Sequence, residues 1–235
     1  MRKMEKRAEE VVLKIVNHDA WIECNKRAYL KWGHYPETDG KLDPQNIKRA
    51  IVIDPKGERM AIVGTDKDAT SKGGLFLEFN AEEPYLVGAE YDRGIYSVTE
   101  DGKWVFGEKK FVANMGYKIE ESRWLIGFAK AYVAREETKP ALARFEFEIV
   151  PDAIKQFKAG DKIRILLLFR GKAVEGKVKV RSGEEIKEFS VKDSVEIELS
   201  KGVNVISSRY EDETPIPGVC DKRNLASTLT VIAEG

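Results

Sequence analysis

The sequence predicts a protein of the all-β class in which strands dominate, with two β-sandwich domains. It also predicts one helix before the first domain and a second helix between the two domains. Two patterns carry this prediction. Short segments alternate apolar and polar residues, as strands with one buried face do. Turn residues, chiefly Gly, Asp and Pro, recur at about the 8–12-residue spacing that is typical of sandwiches and barrels. Apolar residues make up 42% of the 235 residues, which is enough to form a core.

Charge and composition exclude several classes of protein. Lys plus Arg and Asp plus Glu both number 40, so the formal net charge is zero. A balanced surface draws the chain neither to nucleic acid nor to anionic lipid, and no run of about 18 apolar residues is present. We therefore expect no nucleic-acid partner and no membrane insertion. The 34% of charged residues, rich in Lys and Glu, give a thermophile-like surface, and nothing indicates an oligomeric state.

The ends of the chain and its cysteines predict a compartment. The N-terminal segment lacks the apolar core of about 7–15 residues that a signal peptide needs, which favours a cytoplasmic protein. Cys24 and Cys220 lie far apart and form no CxxC motif. This spacing excludes a zinc ribbon and predicts two free thiols.

Residues 1–17 are predicted to form a helical N-terminal extension. Apolar side chains within 4–16 fall roughly on one face of a helix, with Glu and Lys on the other. Such a helix either covers an open end of the main domain or serves as a docking or dimerising element.

The first β-domain is predicted over residues 18–138. Its strand-like segments include "HDAWIEC", "RAYLKW", "IKRAIVID" and "ERMAIVG". A helix is predicted near 119–137, where Trp124, Phe128, Ala131 and Tyr132 follow the i, i+4, i+7, i+8 pattern. Pro140 argues against its continuing, so we place the domain boundary near residue 139.

The second β-domain is predicted over residues 139–235. Its strand-like segments include "ARFEFEIVP", "DKIRILLLF", "SVEIELS" and "ASTLTVIAE". Gly and Asp mark the turns between such segments. The arrangement resembles an immunoglobulin-like or transthyretin-like module. Within it, "GKAVEGKVKV" predicts a turn that leads into a strand with polar side chains outward and Val inward.

The sequence lacks the motifs of the common enzyme classes. No Gly-rich phosphate loop and no GxSxG motif are present. With only two histidines, Cys24 and His34 are the one candidate nucleophile–base pair. Paired carboxylates stay open as an alternative, but no pair stands out. We therefore expect a binding protein and not an enzyme.

The two histidines, His18 and His34, lie in one predicted hairpin. With a three-residue loop over residues 25–27, His18 faces His34 across the two strands, whereas a two-residue loop places His18 opposite Gly33. Directly opposed Cβ atoms lie about 4.5–5.5 Å apart, which lets two imidazoles hold one ion. Cys24 is too far along the strand, at roughly 20 Å, to reach the same ion.

Carboxylates near the hairpin suggest how a metal site could be completed. Nickel and copper accept imidazole together with oxygen donors, while zinc usually takes three or four protein ligands. The candidate metal ligands are His18, His34, Asp19 and Asp39. The alternative is that both histidines are structural, partly buried and bonded to the backbone.

Three short motifs carry a family resemblance: His18-Asp19-Ala20-Trp21, Gly33-His34-Tyr35-Pro36 and Asp54-Pro55-Lys56-Gly57. Together with the closing segment 208–233, they resemble a β-rich family of unassigned function associated with cobalt and nickel transport, as substrate-binding components of periplasmic type. The resemblance spans residues 18–233 and implies an immunoglobulin-like first domain, a second β-domain and a role in handling nickel or cobalt. It also implies a metal transporter component as partner. Family members are commonly exported, and here a charged segment precedes His18.

The sequence thus predicts a non-enzymatic binding protein that handles a nickel or cobalt ion in association with metal uptake. The alternative is a β-sandwich scaffold or interaction module that binds a protein or carbohydrate. If exposed, four aromatic residues would line such a surface, namely Tyr35, Tyr91, Tyr96 and Trp104. The other interpretation is that these residues pack in the core or in turns.

Overall fold

The computed structural model describes residues 18–24, 27–38, 42–54, 56–64, 74–78, 86–134 and 136–235. Strands dominate these ranges, so the prediction of a mainly β protein is confirmed. The N-terminal extension, with its predicted helix, lies outside the described residues.

Half of the described strands precede residue 139: β1 (Asp19–Cys24), β2 (Ala28–Gly33), β3 (Ile47–Asp54), β4 (Gly57–Met60), β5 (Ile62–Gly64), β6 (Gly74–Glu78), β7 (Leu86–Thr99), β8 (Trp104–Phe106) and β9 (Ile119–Tyr132). A 3₁₀ turn (Pro44–Asn46) precedes β3, and a short helix, α1 (Lys109–Asn114), lies between β8 and β9. The later strands are β10 (Phe147–Pro151), β11 (Phe157–Lys158), β12 (Lys162–Phe169), β13 (Lys172–Val174), β14 (Gly176–Ser182), β15 (Glu185–Val191), β16 (Val195–Glu198), β17 (Gly202–Asp212) and β18 (Lys222–Glu234).

The described strands form one large sheet and two small ones. The large sheet, called the central sheet below, has ten strands with β15-β14-β17-β18-β9-β7-β3-β4 in order; β11 also pairs with β18, and β8 with β7. One small sheet, the hairpin sheet, has the order β1-β2-β6-β5. The other consists of β10, β12, β13 and β16.

The central sheet buries apolar side chains on both of its faces. Along β9, Ala129 and Ala131 point into the core shared with the hairpin sheet, whereas Ile126 and Phe128 point into the core shared with the β10 sheet. This alternation follows from the period of two along a strand. The molecule is therefore layered, with a small sheet on each face of the central one.

The prediction of a helix near 119–137 is wrong, because residues 119–132 form the strand β9. This strand lies between β7, its antiparallel neighbour, and β18, its parallel neighbour. A strand buried on both faces carries apolar residues at consecutive positions, and such a run also satisfies the helical template. The spacing of Trp124, Phe128, Ala131 and Tyr132 therefore reflects two buried faces and not one helical stripe.

Strands from both sides of residue 139 belong to the central sheet. β9 and β18 pair in parallel from Arg123↔Lys222 to Ala131↔Thr230. The two predicted units are therefore joined by main-chain hydrogen bonds. The division near residue 139 into separately folding domains stays a prediction, for which limited proteolysis is the test.

A buried ion pair connects the central sheet to the β10 sheet. The ammonium of Lys130 on β9 donates to Glu148 Oε2 on β10 at 2.7 Å, and their side chains are only 1% and 4% exposed. Burial lowers the pKa of Lys130, an effect that the Glu148 carboxylate opposes. Each charge is thus tolerated in the core because the other is present.

We predict that Lys130→Met alone lowers the free energy of unfolding by about 3–5 kcal/mol, because it leaves the Glu148 carboxylate buried without its cation. The double change Lys130→Met with Glu148→Leu should recover most of this loss. Urea denaturation measures both. Lys187→Met, which removes an exposed pair with Glu185, is the control and should change stability by no more than about 0.5 kcal/mol. If Lys130→Met and Lys187→Met changed the free energy of unfolding by similarly small amounts, the prediction would be contradicted.

Gly127 makes room for a buried tyrosine. A Cβ at this position would lie 1.9 Å from Tyr91 Cζ and 2.2 Å from the Tyr91 hydroxyl. We predict that Gly127→Ala displaces the ring and destabilises the fold by about 1–3 kcal/mol or more. Tyr91→Leu should destabilise alone, and the double variant should cost less than the two single changes together. Strict additivity in denaturation experiments would show that the two sites do not interact.

Candidate functional site

The hairpin of β1 and β2 has the register that a three-residue loop requires. Cys24 pairs with Ala28 and Asp19 pairs with Gly33, so His18 and His34 are the next opposed positions. The alternative with a two-residue loop, which would place His18 opposite Gly33, is not adopted.

The two imidazole rings are in contact at the end of this hairpin. Their centroids lie 4.5 Å apart with an interplanar angle of 69°. His18 is 6% exposed and also meets the edge of Trp32 at 5.6 Å. The prediction that the two histidines are neighbours in space is confirmed, although each lies one residue beyond its strand of the hairpin.

Arg93 lies beside His18 and Trp32. Its guanidinium lies 4.6 Å from the centroid of the Trp32 ring and donates to the His18 carbonyl at 3.3 Å. Burial lowers the pKa of Arg93, yet a guanidinium remains charged in proteins. A positive charge therefore lies next to the histidine pair, at the main chain of His18.

Asp19 is a buried carboxylate that binds two arginines of the central sheet. Its Oδ2 accepts from Arg181 on β14 at 3.1 Å, and its Oδ1 accepts from Arg209 on β17 at 3.0 Å. Asp19 is only 5% exposed, so it depends on these two cations. We call these three residues the arginine clamp, because they hold the edge of the hairpin sheet on the central sheet.

Two further hydrogen bonds fix β1 beside the clamp. The backbone N–H of Ala20 donates to the Tyr91 hydroxyl at 3.2 Å, and Thr228 Oγ1 donates to the Ala20 carbonyl at 2.6 Å. Burial raises the pKa of Tyr91 to about 12. Together with the arginine clamp, these bonds hold the end of β1 that lies next to His18 on four strands of the central sheet, β7, β14, β17 and β18.

The structure places the other candidate residues as follows. Asp39 lies outside the described residues. Cys24 is at the far end of β1 from His18, and burial raises the pKa of its thiol to about 12, so it is a poor nucleophile. Cys24 and Cys220 are both free. Within the described ranges, no group of three or more His, Cys, Asp or Glu residues is arranged to hold a metal ion.

The aromatic residues considered for an interaction surface do not share one environment. Tyr91 is fully buried, which agrees with the interpretation of this residue as core packing. Its ring fills the space above Gly127 in the core under the hairpin sheet. The partly buried Tyr35 packs against the fully buried Trp21, with ring centroids 5.6 Å apart. Tyr96 and Trp104 are both partly buried, and their ring centroids lie 6.3 Å apart.

A cleft of about 470 Å³ opens next to the histidine pair. It is bounded by the hairpin on one side and by β14, β15 and β17 on the other. The charged residues and the histidine that line it are Asp19, His34, Lys177, Lys179, Arg181, Glu188 and Arg209. Sequence reasoning predicted the outward polar face of β14 but missed this site, because the pattern does not show what that face meets.

Among the described helices, none is long and apolar enough to cross a membrane. No protein-family model matches this chain, and the comparison with curated proteins gave no match. The functional argument therefore depends on the geometry of the site itself.

Proposed function

We propose that this chain is a non-enzymatic binding protein that holds a nickel or cobalt ion between His18 and His34. The observation that carries the proposal is the contact of the two rings at 4.5 Å. These are the only histidines in 235 residues, and the fold brings them together. The family resemblance supports the choice of metal and adds a metal transporter component as the proposed partner.

The ring separation can be compared with what one shared ion needs. A ring nitrogen about 2.1 Å from a metal places its imidazole centroid about 3.2 Å from the ion. Two such centroids lie about 4.5 Å apart for a right-angled arrangement and about 5.2 Å apart for a tetrahedral one. The observed separation of 4.5 Å supports neighbouring positions on a square-planar or octahedral ion, as nickel adopts.

The remaining ligands would be oxygen donors and water. Both Asp19 oxygens already accept from arginines, Oδ2 from Arg181 and Oδ1 from Arg209, so Asp19 can ligate a metal only by weakening one of these ion pairs. Asp39 stays a predicted ligand. Arg93, Arg181 and Arg209 all oppose a cation here, so we expect binding in the micromolar range and not tighter.

Calorimetric titration of tag-free protein with nickel and cobalt tests the proposal. We predict micromolar binding by the wild type and at least about tenfold weaker binding by His18→Ala and by His34→Ala, since each removes one of two imidazoles. Asp39→Asn should weaken binding, and Asp19→Asn should have the smaller effect. Affinity should also fall as the pH is lowered, because an imidazole must be neutral to bind a metal.

Circular dichroism and melting experiments serve as the control for folding of these variants. His34 is the more informative position, because it is only partly buried, whereas His18 packs on Trp32. Equal binding by all variants, or no binding by the wild type at micromolar concentrations, would leave two structural histidines.

The second candidate function is an interaction module that binds a protein or carbohydrate. The observation in its favour is a set of exposed apolar side chains on and around α1, namely Phe106, Phe111 and Met115 at 65%, 59% and 56% exposure. Exposed apolar side chains that cluster often mark interaction sites. This candidate takes precedence if the nickel titration fails.

A further inference from the structure

The cleft beside the hairpin carries a row of cations on one face of the central sheet. Lys177, Lys179 and Arg181 alternate along β14, so their side chains share a face. Ser207 on β17 is the register partner of Lys179, and Arg209 follows two residues later on the same face. The hairpin sheet, whose edge strand is β1, lies on this face and forms the second wall.

The charges in the cleft are unbalanced. Four cations line it, Lys177, Lys179, Arg181 and Arg209, against only two carboxylates, Asp19 and Glu188. This is a local excess of two positive charges in a chain whose formal net charge is zero. A concave surface of one sign concentrates ions of the opposite sign.

The two carboxylates leave much of this positive potential available. Asp19 is buried and already paired with Arg181 and Arg209, while the Arg209 side chain is still 44% exposed. Glu188 is 63% exposed and lies 3.2 Å from Lys179, a surface pair of the kind that contributes little. Lys177 is exposed and forms no ion pair with any residue in the described part of the chain.

The clamp also orders the site in advance. Asp19 holds Arg181 and Arg209 at 3.1 and 3.0 Å, so both guanidinium groups are fixed before any ligand arrives. Fixing flexible side chains beforehand lowers the entropy that binding costs. Ser207 adds a hydroxyl to the same wall.

We infer that this cleft binds a phosphate-bearing small molecule. A phosphate dianion matches the excess of two positive charges, and lysine and arginine are the side chains that proteins use for phosphate. The volume of about 470 Å³ is larger than a bare ion needs and lies within the range of about 300–1,000 Å³ for small-molecule pockets. The phosphate group contacts the row of cations, and the body of the molecule occupies the rest of the cleft.

This inference does not rest on the metal proposal. The cations that carry it lie on β14 and β17, whereas the metal proposal uses two imidazoles of the hairpin. His18 does not line the cleft, so His18→Ala separates the two sites. It should weaken nickel binding at least about tenfold and leave binding of glucose 6-phosphate within about threefold of the wild type.

Calorimetry at low ionic strength tests the inference with three probes: glucose 6-phosphate, glucose and gluconate. We expect glucose 6-phosphate to bind, glucose not to bind, and gluconate, which carries one charge on a carboxylate, to bind more weakly. Lys177→Gln with Lys179→Gln should weaken binding of glucose 6-phosphate by about tenfold or more. Added salt should weaken it further.

The matched control is Lys172→Gln with Lys192→Gln, which removes the same charge from two exposed lysines that do not line the cleft. The affinity of this control variant for glucose 6-phosphate should stay within about threefold of the wild-type affinity. Melting temperatures check that both double variants fold, as expected for exposed or half-exposed positions. No binding of glucose 6-phosphate by the wild type, equal binding by the two double variants, or tighter binding of gluconate would each overturn the inference.

Discussion

The position of the whole candidate site depends on the buried carboxylate of Asp19. Its two oxygens bind Arg181 and Arg209, which come from different strands of the central sheet. Removing a buried charge from its partners typically costs several kcal/mol, so the three residues hold one another in place. The clamp fixes the edge of the hairpin sheet, and that edge sets where the histidine pair and the cleft lie. The same arginines are then part of the wall to which any ligand in the cleft is exposed.

The second constraint is the burial of both faces of the central sheet. β9 must present apolar residues at successive positions, and this hides the period of two by which a strand is recognised. The mainly β class could be predicted because most other segments alternate or end in clear turns. The identity of β9 could not, since its burial depends on β7 and β18, which are separated from each other by about half the chain. The ion pair of Lys130 with Glu148 belongs to the same layered core and was equally hidden from the sequence.

The histidine pair could be predicted because its geometry is local. Counting back from a three-residue loop gives the pairing of His18 with His34, and β1 and β2 have that register. The partners of Asp19 could not be predicted in this way, because Arg181 and Arg209 lie 162 and 190 residues away. Because Asp19 follows His18 in the sequence, the sequence favoured its interpretation as a metal ligand. In the fold, the oxygens of Asp19 bind arginines instead. The polar face of β14 was visible as alternation, but the strand opposite that face was not.

The arrangement of charges connects the two proposed sites. His34 belongs to the histidine pair and also lines the cleft, so an ion at either site alters the field at the other. The arginines that favour an anion in the cleft oppose a cation between the imidazoles. A bound phosphate would offset part of that opposition, and a bound metal would add to the attraction for phosphate. Because binding free energies are linked reciprocally, each ligand would then raise the affinity for the other by the same factor. The excess of arginine around the histidine pair argues against a strong metal site in isolation. It is compatible with a metal site that is occupied together with an anion in the cleft.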